Sequence, residues 1–177
     1  MNIALLTDLH YGLHLRWEEC LRVHSWCASV IEERKPDLII LGGDLFDRDS
    51  KPAERNALTE LLRRLGDVAP VLIARGNHDA RGDLCIFGRL ATRHPIRVFE
   101  EPSLVEQAGA WIAILPWMER VVAEESLVGL STAETMEREA AALREVLVDL
   151  GTGMRERAGD GPKLFVGHLM LRGAVPR

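Results

Sequence analysis

A chain of 177 residues, 47% hydrophobic and 28% charged, is long enough to bury one substantial core and short for two ordinary domains. Its net charge of -5 argues against a protein that grips nucleic acid by bulk positive charge, although the stretch from Arg75 to Arg97 carries Arg75, Arg81, Arg89, Arg93 and Arg97 against only Asp79 and Asp83. No stretch approaches the roughly 20 apolar residues of a membrane span, and the N-terminus lacks the basic lead-in of a signal peptide, so the expectation is one cytoplasmic domain with no membrane contact.

In chain order, Ile3 to Thr7 is a short apolar run stopped by a polar turn, the pattern of a buried strand that presents Asp8 and His10 at its carboxyl end. From Trp17 to Arg34, apolar residues at Cys20, Val23, Cys27, Val30 and Ile31 repeat with helical period. Cys20 and Cys27 form no Cys-x-x-Cys pair with each other or with Cys85, and read as part of that helical stripe rather than as a zinc site. Asp37 to Leu41 is a second strand, broken by Gly42-Gly43 before Asp44. Ala53 to Leu65 is a second amphipathic helix, and Val71 to Ala74 a third strand ending in Arg75-Gly76-Asn77-His78-Asp79. Strands alternating with helices imply a largely parallel sheet, whose sites gather at the carboxyl ends of the strands.

Beyond this point the helical pattern lapses, and Arg97 to Phe99, Leu104 to Glu106 and Trp111 to Leu115 suggest the strands of a second sheet. Ser131 with Glu134 forms a capping box for a helix expected to reach Leu150 and stop at Gly151, followed by a Gly-rich loop to Pro162. Lys163 to Gly167 is one more strand, ending at His168.

Each strand end carries residue types suited to chemistry. Asp8 and His10, two positions apart, can share one metal ion, although the same pair also marks an ordinary polar strand end. Asp44 can bridge two cations with its two oxygens, or serve a plain turn. Asn77 offers a neutral oxygen ligand, His78 can transfer a proton near neutral pH, and Asp79 can orient or charge-stabilise that imidazole. His168 adds an imidazole that alone would read as a capped core histidine. Four such sites, all just after apolar strands, make independent chance a poor account.

In this order, Asp8-x-His10, Gly43-Asp44, Gly76-Asn77-His78-Asp79 and Gly167-His168 resemble the signature of the calcineurin-like metallophosphoesterases over nearly the whole chain. Within that superfamily, Thr7-Asp8-Leu9-His10-Tyr11-Gly12, Gly43-Asp44-Leu45-Phe46-Asp47 and Ile114-Leu115-Pro116-Trp117 resemble the nuclease subunit of SbcD type. The resemblance implies an α/β metallophosphoesterase-type sandwich of two mixed β-sheets flanked by helices, with residues 1–177 forming the nuclease domain. Asp8 and His10 would hold a first metal, Asn77 and His168 a second, and Asp44 would bridge. His78 would be the catalytic histidine, assisted by Asp79. The family pattern also carries a later Gly-His-x-His, which does not occur here: Met170 follows His168 at the place of a partner histidine, and the domain is therefore expected to be incomplete at its C-terminus.

The implied cofactors are two divalent metal ions, manganese first, with iron or zinc as alternatives. Two dications bring about +4, the two aspartates about -2 and a bridging hydroxide about -1, leaving roughly +1 where a phosphodiester would sit. That hydroxide would attack phosphorus while His78 protonates the leaving oxygen. Expected partners are DNA, an SbcC-type ATPase subunit and a second copy of the chain, and Arg81, Arg89 and Arg93 are candidates to meet backbone phosphate or else line a solvated face. The rival readings are a phosphatase or cyclic-nucleotide phosphodiesterase acting on small substrates, and an inactive binding module. His14, His24 and His94 read as ordinary surface or helix residues, with His14 alone a lesser candidate to line the site, and Trp117 as core or rim packing rather than a base-stacking platform.

Overall fold

The computed structural model describes residues 1–14, 16–119, 121–122 and 124–169; Met170 and the residues after it lie outside. Its elements are β1 (Ile3–Leu6), α1 (Trp17–Arg34), β2 (Leu38–Leu41), α2 (Pro52–Val68), β3 (Val71–Ala74), β4 (Ile96–Phe99), β5 (Ser103–Gln107), β6 (Ala110–Leu115), α3 (Thr132–Ala158) and β7 (Lys163–Gly167). One sheet has the order β1-β2-β3-β4 with every pair parallel. The other has the order β5-β6-β7, antiparallel between β5 and β6 and parallel between β6 and β7.

Period-2 alternation explains why β2 and β3 are buried on both faces. Ile39, Leu41, Val71 and Ile73 point to one side, where Ala28 and Ile31 of α1 and Leu58, Leu61, Leu62 and Leu65 of α2 cover them. Leu38, Ile40, Leu72 and Ala74 point to the other side, against Val105, Ile112 and Ile114 of the second sheet. Burying each such side chain contributes about 1.5–3 kcal/mol, so these two layers hold the strand ends in place. Helix α3 lies against β5 and β6 and buries none of its residues fully. Among the described residues no helix is long and apolar enough to cross a membrane.

Two expectations are corrected. The run Arg97 to Phe99 belongs to the first sheet: β4 pairs with β3 over Val71–Ala74, and only a 3-10 turn at Cys85–Arg89 fills the crossover, so no helical period announces it. Helix α3 also runs past Gly151 to Ala158, and the expected loop from Gly151 is largely helix. It ends at Gly159, which has φ of 51°.

Candidate metal centre

Parallel strands β1, β2 and β3 deliver their carboxyl ends to one edge, and the backbone continues the pairing beyond them. Asp8 N donates to Gly43 O at 3.1 Å, His10 N to Asp44 O at 3.0 Å and Tyr11 N to Leu45 O at 2.8 Å, so the first two loops run side by side. His168 N donates to Leu115 O at 2.9 Å, which carries the end of β7 to the same place. Gly43, at φ 104°, and Gly76 allow this crowding: a Cβ on Gly43 would lie 2.8 Å from Gly76 Cα, and one on Gly76 would run into the backbone and carboxylate of Asp44.

Three residues here hold a backbone that L side chains rarely adopt: Asp8 at φ 55°, His10 at 46° and Asp44 at 52°. Each costs about 1–3 kcal/mol, a cost that persists where surrounding structure over-determines it, as at binding sites.

The side chains converge on Asp44, which is buried, whereas Asn77 and His78 are exposed. Asp44 Oδ2 lies 3.9 Å from His10 Nε2 and 3.4 Å from His168 Nε2, and His10 Nε2 lies 3.8 Å from Asp8 Oδ1. His168 Nδ1 faces the Gly42 carbonyl at 2.8 Å, an acceptor only, so Nδ1 carries the proton in the neutral ring. Its Nε2 lone pair then meets Asn77 Oδ1 at 2.9 Å as well as Asp44 Oδ2. Acceptors facing one another repel unless a proton or a cation lies between them. A cation with bonds of about 2.0–2.2 Å spans these separations, and the set of Asp8, His10 and Asp44 has the same character. The donor atoms therefore fit two ions that share Asp44.

His78 Nδ1 donates to the Asp47 carbonyl at 2.7 Å, and its backbone N–H to Asp44 Oδ1 at 2.9 Å. The Asp47 bond, with smaller help from the charges of Asp44, Asp47 and Asp79, keeps His78 protonated above the usual histidine range against the opposing effect of burial.

The sequence model of the calcineurin-like phosphoesterases matches residues 1–172. The chain belongs to that family. The SbcD component of the nuclease SbcCD from Staphylococcus epidermidis is 24% identical over 186 aligned positions, covering 98% of this chain and 47% of that protein. The DNA double-strand break repair protein Mre11 from Aeropyrum pernix is 35% identical over 85 residues, 44% of this chain and 21% of its own. Phosphodiesterase YaeI from Escherichia coli K12 is 38% identical over 80 residues, 44% and 27% respectively. The chain thus spans less than half the length of each of these relatives.

In this calcineurin-like phosphoesterase, the Asp79 carboxylate is engaged by backbone amides and acts on His78 only through its charge. Its Oδ1 accepts the N–H groups of Leu45 at 2.9 Å and Phe46 at 3.0 Å, and its Oδ2 that of Gly76 at 2.9 Å, so it ties the second and third loops together. Burial pushes its carboxyl up, against the pull of those amides. Orienting the imidazole falls instead to the carbonyl of Asp47.

The three arginines do not form one surface with the centre. Arg81 is ion-paired to Glu101, and Arg89 is exposed on the 3-10 turn. Arg93 precedes β4, where Val71 N donates to Pro95 O, and so lies at the amino ends of the strands, opposite the centre.

Three further residues matter here, of which sequence reasoning raises only His14, as a lesser candidate to line the site. His14 places Nε2 2.9 Å from Asp47 Oδ2. Arg75 is buried and donates to Trp117 O at 2.6 Å and Asp79 O at 3.3 Å, while Trp117 N donates to Arg75 O, which fastens the third loop to the end of β6. Glu54, also buried, accepts Lys51 N at the start of α2 and Leu13 N at 2.7 Å. A carboxylate three positions inside a helix is a legible cap signal; the reach to Leu13 is not.

Proposed function

We propose that the chain carries the catalytic domain of a metal-dependent phosphodiester hydrolase acting on DNA, as a nuclease subunit of SbcD type. The observation that carries this reading is Asp44, with Asp8 and His10 on one side and Asn77 and His168 on the other, at the ends of parallel strands. The relatives whose names include a nuclease and a DNA repair protein support the substrate class.

Two divalent ions, manganese first, would supply positive charge for the phosphodiester and acidify a water for attack on phosphorus. Asp8 and His10 would hold one, Asn77 and His168 the other, and Asp44 both. His78, with Nδ1 committed to Asp47, has Nε2 left to give a proton to the leaving oxygen. Asp79 would act indirectly, by holding the two loops that carry Asp44 and Asn77. An SbcC-type ATPase, a second copy of the chain and a cytoplasmic setting complete the proposal.

Cleavage of linear duplex DNA compared with a small chromogenic phosphodiester, by a protein in which this domain is followed by a Gly-His-x-His, tests it. Manganese-dependent degradation of the duplex is expected, lowered about 10²–10⁴-fold by His78→Ala while metal is retained. Turnover of the small ester alone would replace this reading with the second one, a small-substrate phosphodiesterase. That second reading draws on the identity to phosphodiesterase YaeI and on the separation of Arg93 from the centre.

A further inference from the structure

We propose that Asp47, anchored by His14, is the positioning residue that fixes the tautomer and orientation of His10. What His10 does once positioned rests on the two-ion reading above.

His10 Nδ1 is buried and has no hydrogen-bond partner. The carboxylate beside it is Asp47, whose Oδ1 stands 3.4 Å away, within ion-pair range though not aligned as a hydrogen bond. The other oxygen of Asp47 is engaged by His14 Nε2 at 2.9 Å, and the backbone is held at both ends, Asp47 N donating to Tyr11 O at 3.3 Å and Asp47 O accepting His78 Nδ1 at 2.7 Å. The carboxylate therefore has little freedom to turn away from His10.

His14 is fixed in its turn. A Cβ on Gly12 would lie 2.9 Å from His14 Cε1 and 3.3 Å from Asp47 Cβ, so the turn packs directly on the pair. The same turn is tied to α2 by the bond from Leu13 N to the buried Glu54. A line of contacts thus runs from Glu54 through the turn and His14 to Asp47 and ends at His10.

An imidazole offers Nε2 as a ligand only when the proton sits on Nδ1, and a carboxylate facing Nδ1 favours that tautomer. A cation on Nε2 would make Nδ1–H a stronger donor and draw it onto Asp47 Oδ1. The His10 ring meets the His78 ring edge-on at 5.0 Å between centroids, so one carboxylate residue sets the attitude of both histidines: His10 through its side chain and His78 through its carbonyl.

Long-range proton–nitrogen spectra of histidine-labelled metal-free protein, with Mn²⁺ titration by calorimetry of a protein in which this domain is followed by the Gly-His-x-His, test the assignment. In the wild type His10 should be the Nδ1–H tautomer. Asp47→Ala and His14→Phe should each shift it toward Nε2–H and weaken Mn²⁺ binding about 10–100-fold at unchanged stoichiometry. Asp47→Asn, which keeps an oxygen acceptor, should restore the tautomer, and the His168 signals should stay put throughout. An unaltered His10 tautomer in both variants overturns the proposal, and so does loss of a whole equivalent of metal in Asp47→Ala, which would make Asp47 a ligand. Should Asp47→Ala fail to fold, His14→Phe decides alone. Asp8→Ala separates the two levels: if it leaves Mn²⁺ binding intact, the two-ion reading fails, while the metal-free tautomer still decides the role of Asp47.

Discussion

His168 and Asn77 meet across 91 positions of sequence, with His168 Nε2 2.9 Å from Asn77 Oδ1. Asp44 Oδ2 is 3.4 Å from the same nitrogen, so loss of Asp44 touches both candidate ion sites and loss of His168 only one. In a protein of residues 1–177, Mn²⁺ binding should be weak, because the two imidazoles of a Gly-His-x-His are not among its ligands. Asp44→Asn should abolish what binding there is, and His168→Ala should leave the Asp8, His10 and Asp44 set. Calorimetric titration checks both, and two tight sites in the unaltered 1–177 chain would show that the five residues suffice.

The Asp79 carboxylate binds the amides of Leu45, Phe46 and Gly76 in a buried setting. Asp79→Ala leaves three buried donors without a partner, each worth about 1–3 kcal/mol, so a loss of about 3–5 kcal/mol is expected once non-additivity is allowed for. Asp79→Asn keeps one oxygen but turns an NH₂ toward amide donors, and should still cost about 2 kcal/mol. Urea unfolding monitored by circular dichroism measures both. If Asp79 served only to orient His78, stability would hardly move and activity alone would fall.

His24 is buried against Tyr11, ring centroids 4.5 Å apart, and burial holds its proton affinity below the ordinary value of 6.5. The unfolded chain then binds a proton more readily than the folded one. Stability from this residue is complete above pH 6.5 and is lost as the pH falls through the lowered folded value. Chemical unfolding midpoints from about pH 8 down to 5 should therefore decline, and His24→Phe should flatten that part of the curve. An equally steep decline in the variant would assign it to other groups.

Legible in the sequence is whatever follows from local periodicity and from polar residues placed just after apolar runs. Asp8, Asp44 and Asn77 are of this kind, since a parallel sheet brings successive carboxyl ends to one edge without further instruction, whereas His168, legible as a polar residue after an apolar run, reaches that edge from the second sheet through its bond to Leu115 O. Asp47 and His14 are not, because their pairing depends on how two loops lie side by side, set by the bonds from His10 N and Tyr11 N across to Asp44 O and Leu45 O. Arg93 misleads for the same reason: charge along the chain says nothing of which end of a strand a residue flanks.

Gly151 misleads differently, by looking like a helix stop. Gly153, two positions on, explains why helix continues there: a Cβ at Gly153 would come 3.2 Å from Leu104 Cδ2, so a small residue lets α3 approach β5. At Gly151 a Cβ would meet nothing nearer than Arg155 Nη1 at 3.7 Å. Gly151→Ala should therefore stabilise the protein by about 0.5–1 kcal/mol, the cost of a glycine inside a helix. Gly153→Leu should destabilise it, since Leu104 would have to be displaced. Thermal unfolding of the two variants reads the signs directly, and a helix that really ended at Gly151 would make the alanine neutral or harmful.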